Sequence, residues 1–150
     1  MSDLLSLHPY VLKTETNNDY CSFIILNGEE EIAHLISFIY TKKNLVYIQN
    51  LLSKEKGKRY GCFLISKLCD YIISHYPLIK WVELDDSTSV SPPLNIYYKL
   101  GFKVRDNNHN RYINWQTWLS RYTPLHNNPT EERRINIYIL NVNVQKFLLS

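Results

Sequence analysis

From Tyr20 onward the chain alternates short runs of β-forming residues with clusters of turn residues. Tyr20–Leu26 (YCSFIIL) is dense in β-formers, and Asn27-Gly28 follows it. That pair tolerates positive φ at both positions and marks a hairpin. Glu31–Tyr40 alternates about Ile32, His34, Ile36 and Phe38, and Lys42–Asn44 makes a second turn. Leu45–Ser53 is a further strand, so residues 20–53 predict an antiparallel meander of three strands. The period then changes. Between Arg59 and Tyr76, Leu64, Ile65, Leu68, Ile72, Ile73 and Tyr76 recur at helical spacing, with Lys67, Asp70 and Ser74 on the other side. Pro77 ends this helix, because the residue before a proline is pushed out of the helical region. Trp81–Leu84 predicts a short strand. Ser91-Pro92-Pro93 predicts a helix start, Ser as N-cap and Pro at the first helical position, with Gly101 stopping the helix after Leu100. Phe102–Arg105 begins another strand.

The order β-β-β-α-β-α-β predicts an α+β (α/β) chain: a mixed, mostly antiparallel sheet flanked by helices. Strand 45–53, helix 59–76 and strand 80–85 predict a right-handed parallel crossover. Other segments are less legible. PYVLKTET near the start admits a short edge strand. Residues 106–110 are a turn, 112–119 fit strand or helix, and 125–132 are a loop with Pro129. Ile135–Val142 alternates and predicts a last strand, which either completes the sheet or pairs across a homodimer. Val144–Leu149 fits a short closing helix.

Composition narrows the classes. At 150 residues the prior is one domain over 1–150. The net charge of +3 does not reach the basic excess that makes nucleic acid the default partner. The three cysteines, Cys21, Cys62 and Cys69, include no CxxC, so neither a disulfide framework nor a metal site is expected. No apolar run approaches the length of a membrane span, and MSDLLSLHPY lacks the plan of a secretory signal. A reduced, cytoplasmic protein is the expectation. Frequent Asn, Ile, Lys and Tyr beside only 4 Gly fit AT-rich coding, as in some parasites, some bacteria and large DNA viruses; for a virus the compartment is the host cell.

Candidate chemistry concentrates at Ser53–Gly61 (SKEKGKRYG), where a strand enters a glycine-containing basic turn and a long helix starts at once. The first amides of a helix have no partner inside it and lie at the positive end of its dipole, so such a place binds phosphate or pyrophosphate. Lys54, Lys56, Lys58 and Arg59 add charge; the bland alternative is a solvated basic loop. Neither a Walker loop nor a GxGxxG fingerprint is present. Glu83 lies in a strand, and Asp85 and Asp86 lie at its C-terminal end, where open α/β sheets place ligands. They are candidate general bases or simply turn and cap residues. His34 could face a cleft, although a lone strand histidine is more often an interior hydrogen-bonding group. Cys62 sits at a helix start, where thiolate is favoured, yet packing is the better reading. Trp115, Trp118, Tyr112, Arg111 and Arg121 could stack bases or form an ordinary half-buried element.

Two stretches resemble a known family. Lys56-Gly57-Lys58-Arg59-Tyr60-Gly61, followed by CFLISKL, is similar to the Q/R-x-x-G-x-G/A motif of the GNAT superfamily of acetyl-CoA-dependent N-acetyltransferases. Tyr97-Tyr98-Lys99-Leu100-Gly101-Phe102 is similar to the family's FYxKLGF segment, with Ile96 in the first aromatic position. The resemblance covers about residues 20–105. It departs at Lys56, which replaces Gln or Arg, and at Arg59, which holds the usual middle-glycine position; an Arg there presents its N–H if φ is negative. The two helices usual between the family's first two strands have no room here. The resemblance implies a GNAT-like acyltransferase fold and transfer of acetyl from acetyl-CoA to a primary amine of a small molecule or protein by direct attack. It implies that Leu51, Leu52 and Ser53 hold the pantetheine arm. The amides of Lys56, Gly57, Lys58, Arg59, Tyr60, Gly61 and Cys62 would hold the pyrophosphate, and Tyr97 would be the general acid. The competing expectation is a catalytically impaired CoA-binding or protein-interaction module of the same fold.

Overall fold

The structure is a computed structural model that describes residues 10–55, 59–88, 95–122 and 132–142. The chain divides into two compact units that meet in sequence at Lys80 and Trp81.

The first unit is a meander: β1 (Val11–Asn17), β2 (Tyr20–Asn27), β3 (Glu30–Tyr40) and β4 (Leu45–Ser53), each antiparallel to the next. The meander has four strands, not the three expected, because the edge strand that PYVLKTET admitted is present and fully paired with β2. Most of β1 is exposed on both faces, so it has no apolar alternation for a sequence reading to detect. Only Asn18 and Asp19 join β1 to β2, which confirms that no helix intervenes there. Helix α1 (Tyr60–His75) packs on one face of this sheet, with Phe23 of β2 edge-on to Tyr71 at 6.5 Å. Phe23, Ile25, Leu35, Val46 and Ile48 of the sheet and Leu64, Ile65, Leu68 and Ile72 of α1 are buried. These are the positions that the two periodicities, 2.0 and 3.6, assign to facing surfaces.

The second unit contains β5 (Trp81–Asp86), α2 (Ile96–Leu100), β6 (Lys103–Asp106), β7 (Arg111–Ile113), α3 (Trp115–Tyr122) and β8 (Arg133–Tyr138). β8 runs antiparallel to both β5 and β6, and β7 pairs with β6. The late alternating segment therefore completes a sheet. With both its edges occupied, β8 offers no edge for the dimer pairing considered above. β8 stops at Tyr138, short of the expected Val142, and a 3-10 turn over Ile139–Asn141 follows. The ambiguous stretch 112–119 is both element types in turn. β7 ends at Ile113 and α3 begins at Trp115, with the Asn114 side chain accepting the Gln116 N–H at 2.8 Å. The Ser91-Pro92-Pro93 start, much of the 125–132 loop and the 144–149 helix lie outside the described residues.

Candidate functional site

β4 is held to β3 as far as its end: Leu51 lies opposite Leu35, Leu52 opposite His34 and Ser53 opposite Ala33. The Lys54 N–H then donates to Ile32 O at 2.9 Å, and the Ser53 hydroxyl donates to Glu55 O at 2.9 Å, which turns the chain out of the strand. The Tyr10 hydroxyl donates to the Glu55 carboxylate at 3.2 Å. Lys56, Gly57 and Lys58 lie outside the described residues.

Arg59 is the N-cap of α1, with φ 63° and ψ 23°, in the left-handed region. The condition set above for an Arg here to present its N–H, a negative φ, is therefore not met. The backbone here keeps the shape that a glycine at this motif position adopts freely, and the arginine is forced into it. Its carbonyl accepts the Phe63 N–H at 3.1 Å, so the helix starts at once. Arg59 makes no side-chain capping hydrogen bond, and the first turn of α1 holds no acidic residue. The amides of Tyr60, Gly61 and Cys62 thus head the helix at its positive end. The Cys62 side chain is buried, as a packing role requires.

In the second unit, Asn95 caps α2. Its Oδ1 accepts the N–H groups of Tyr97 at 2.8 Å and Tyr98 at 3.0 Å. The cap was missed in favour of Ser91-Pro92-Pro93, although Asn directly before an aromatic-rich helix carries the same signature. Gly101, at φ 101°, closes the helix, and Phe102 N–H donates back to Tyr97 O at 3.0 Å. Tyr97 is buried, with its ring edge-on to Phe102 at 5.5 Å. Tyr98 points elsewhere: its hydroxyl accepts from Gln116 Nε2 at 3.1 Å, and its ring meets Trp115.

The carboxylates separate by face. Asp86 is buried and accepts from Arg133 Nη2 at 3.0 Å, Asn95 Nδ2 at 2.9 Å, and the N–H and hydroxyl of Thr88 at 2.9 and 2.6 Å. It anchors the cap that fixes α2. Glu83 and Asp85 share the other face of β5. Arg134 spans them, with Nη1 2.5 Å from Glu83 and Nε and Nη2 2.6 and 2.9 Å from Asp85. Glu83 also accepts the Tyr112 hydroxyl at 3.1 Å. Burial, and then the neighbouring Glu83 carboxylate, push the Tyr112 phenol well above its ordinary range. Asp85, Arg105, Asn107, Tyr112 and Arg134 line part of an open cavity of about 440 Å³. In the first unit, His34 lies between Glu31, 2.7 Å from Nδ1, and Asn50, 2.8 Å from Nε2. Of the aromatic-basic cluster, Trp115 and Trp118 are buried in the core, Tyr112 is half-buried, and Arg111 and Arg121 are exposed. No cluster of three metal-binding side chains occurs among the described residues.

No family model and no curated protein matches the sequence. Solved structures do. The PaiA N-acetyltransferase of Thermoplasma acidophilum, solved with coenzyme A, matches with TM-score 0.55 and 16% identity over 80% of this chain and 61% of that one. The ribosomal-protein-S18-alanine N-acetyltransferase of Escherichia coli matches with TM-score 0.54 and 16% identity, over 83% and 72%. A Bacillus subtilis acetyltransferase in complex with CoA matches with TM-score 0.55 and 13% identity, over 86% and 98%. The chain has the GNAT acetyltransferase fold. It spans about three fifths of the Thermoplasma protein and nearly all of the Bacillus one. No helix among the described residues is long and apolar enough to cross a membrane.

Proposed function

We propose that the chain, as one acetyltransferase domain over 1–150, transfers acetyl from acetyl-CoA to a primary amine of a small molecule or protein by direct attack. The observation that carries this reading is the start of α1: a left-handed N-cap, no side-chain cap and no acid in the first turn, on a GNAT fold. That arrangement suits a diphosphate, and the Thermoplasma and Bacillus neighbours are solved with CoA. Acetyl-CoA supplies an activated thioester. The backbone of Leu51, Leu52 and Ser53 takes the pantetheine arm, and the amides of residues 56–62 take the pyrophosphate. Tyr97 protonates the leaving thiolate; a phenol of pKa ≈ 10 is matched to a thiol near 8.5. In this reading Asp86 is a positioning residue, acting through Asn95 on the backbone of Tyr97, and Glu83 is neutralised by Arg134 on the opposite face of β5.

The test is CoA release from acetyl-CoA across a panel of primary amines. Tyr97→Phe should lower kcat by roughly 10²-fold and leave acetyl-CoA affinity within about twofold. Unchanged turnover rejects Tyr97 as the acid. Binding of CoA without turnover of any amine assigns the chain instead to the CoA-binding module.

A further inference from the structure

We propose that the open edge of β1 is a dimer interface, to which a second copy of this chain adds its own β1, antiparallel, about a twofold axis through Thr14. Among the described strands, β1 pairs with β2 alone. Asn18 and Asp19 form the turn into β2, and the register runs without a shift from Asn17 opposite Tyr20 to Val11 opposite Leu26. The residues that flank a two-residue turn face each other with their backbone groups, and that direction alternates along a strand. The N–H and C=O groups of Leu12, Thr14 and Thr16 therefore point to the open side, where no other described residue bonds them. Helix α1 packs over β2, β3 and β4. Tyr10, directly before β1, turns the other way: its hydroxyl donates to Glu55 at 3.2 Å and its ring meets Tyr60 at 6.1 Å.

The side chains select the partner. Thr14 lies opposite Phe23, which meets α1, so Lys13 and Glu15 share the other face of β1. They are exposed and paired with each other at 3.2 Å. With the axis at Thr14, Lys13 stands opposite the partner's Glu15, and Glu15 opposite the partner's Lys13. Four charges of alternating sign then close into a square, in which each pair along a strand gains a pair across it. Residues opposed in antiparallel strands both turn their backbone groups outward or both inward, so a twofold axis can move only by whole residues. Moved to Lys13 or to Glu15, it sets lysine directly against lysine or glutamate against glutamate, which is destabilising. The Thr14 register avoids this and pairs all seven residues of the strand.

Charge on an edge strand commonly repels further pairing. Here the two signs are balanced about Thr14, so the same charges attract a second copy and disfavour a strand whose charges run in another order. The axis uses the edge in both copies, and assembly closes at two. Val11, 61% exposed in the single chain, gains a strand beside it. One strand pair is a small interface, under about 1,200 Å², so the dimer is weak and reversible. It is independent of the acetyltransferase reading.

The experiment is sedimentation equilibrium of the full chain from low micromolar to submillimolar concentration. The wild type should show a monomer–dimer equilibrium. Lys13→Glu and Glu15→Lys each leave a single sign on the face, and each should weaken the dimer by at least about 10-fold. An equimolar mixture of these two variants should form a heterodimer, because every opposed pair is then of opposite sign. The double exchange, Lys13→Glu with Glu15→Lys, should dimerise within about threefold of the wild type. A variant that merely misfolds would show neither rescue. Thr14→Pro removes an outward N–H and spares the bonds to β2, so it should abolish the dimer with the circular dichroism unchanged. A wild type that stays monomeric over the whole range overturns the proposal. So does a dimer that both single exchanges or Thr14→Pro leave intact, or a mixture that does not associate.

Discussion

Among the described non-glycine residues, Asn44, Arg59 and Asn110 hold positive φ, at 54°, 63° and 54°. Asparagine visits this region readily; arginine does not. Arg59 is therefore held there by what surrounds it, between the turn that leaves β4 and the first bonds of α1. A left-handed conformation costs an L-residue on the order of 1–2 kcal/mol through its Cβ, and glycine avoids that while losing more freedom on folding. The clean comparison is between two truncations. Arg59→Gly should be more stable than Arg59→Ala by about 1 kcal/mol in urea unfolding. Equal stability of the two would show that the left-handed backbone is not retained in solution. The sequence displayed the motif and the departure at Arg59, but not the backbone angle. A φ value is set by the bonds that flank a residue, and those were not readable from SKEKGKRYG.

At the scale of elements, legibility followed burial. β2, β3, β4 and α1 each have one covered and one less covered face, and their apolar periods were plain. β1 was legible only as a possible edge strand because it is exposed on both faces, and the five-residue α2 is too short to display a period. The same limit hid the device that ties β6, β7 and α3 together. DNNHN was read correctly as a turn, but Asp106 is buried and accepts from Asn108 N–H at 3.1 Å, His109 Nδ1 at 2.9 Å, Arg121 Nη1 at 2.7 Å and the Tyr122 hydroxyl at 2.5 Å. Burial by itself would raise this carboxyl; the bonds from Tyr122, His109 and Arg121 outweigh it and hold Asp106 well below the usual carboxylate range. A depressed folded-state pKa contributes stability that is present above the unfolded value, ≈ 3.9 for Asp, and is lost as pH falls through the folded one. Asp106→Asn should lower the melting temperature by several degrees at pH 7. The gap between wild type and variant should then narrow as pH drops below about 4. A gap independent of pH would mean that Asp106 is not ionised in the fold. Asn95→Ala gives a parallel test at α2. Loss of a cap costs about 1 kcal/mol, and here it also removes one of the partners of Asp86.

At the scale of the whole chain, the fold class and the family likeness were legible from two short motifs and the order of elements. The bond between His34 and Asn50 was not, because it forms only through the register of β3 on β4. The position of β8 between β5 and β6 is likewise a long-range pairing that no local pattern encodes. The division into two units makes one property of the composition useful. All three tryptophans, Trp81, Trp115 and Trp118, belong to the second unit. Tryptophan fluorescence therefore reports the second unit, whereas the anion-suited start of α1 and the end of β4 belong to the first. Acetyl-CoA at a hundred times its Kd should stabilise the protein that binds it by about 2.7 kcal/mol, or roughly 5–10 °C for a chain of this size. If the ligand engages the first-unit groups and Tyr97 together, the fluorescence midpoint should rise by that amount, in step with the midpoint from far-ultraviolet circular dichroism. If the dichroism midpoint rises while the fluorescence midpoint stays put, the two probes no longer share one transition. Acetyl-CoA would then be held by the first unit without Tyr97, the behaviour of a binding module and not of a transferase.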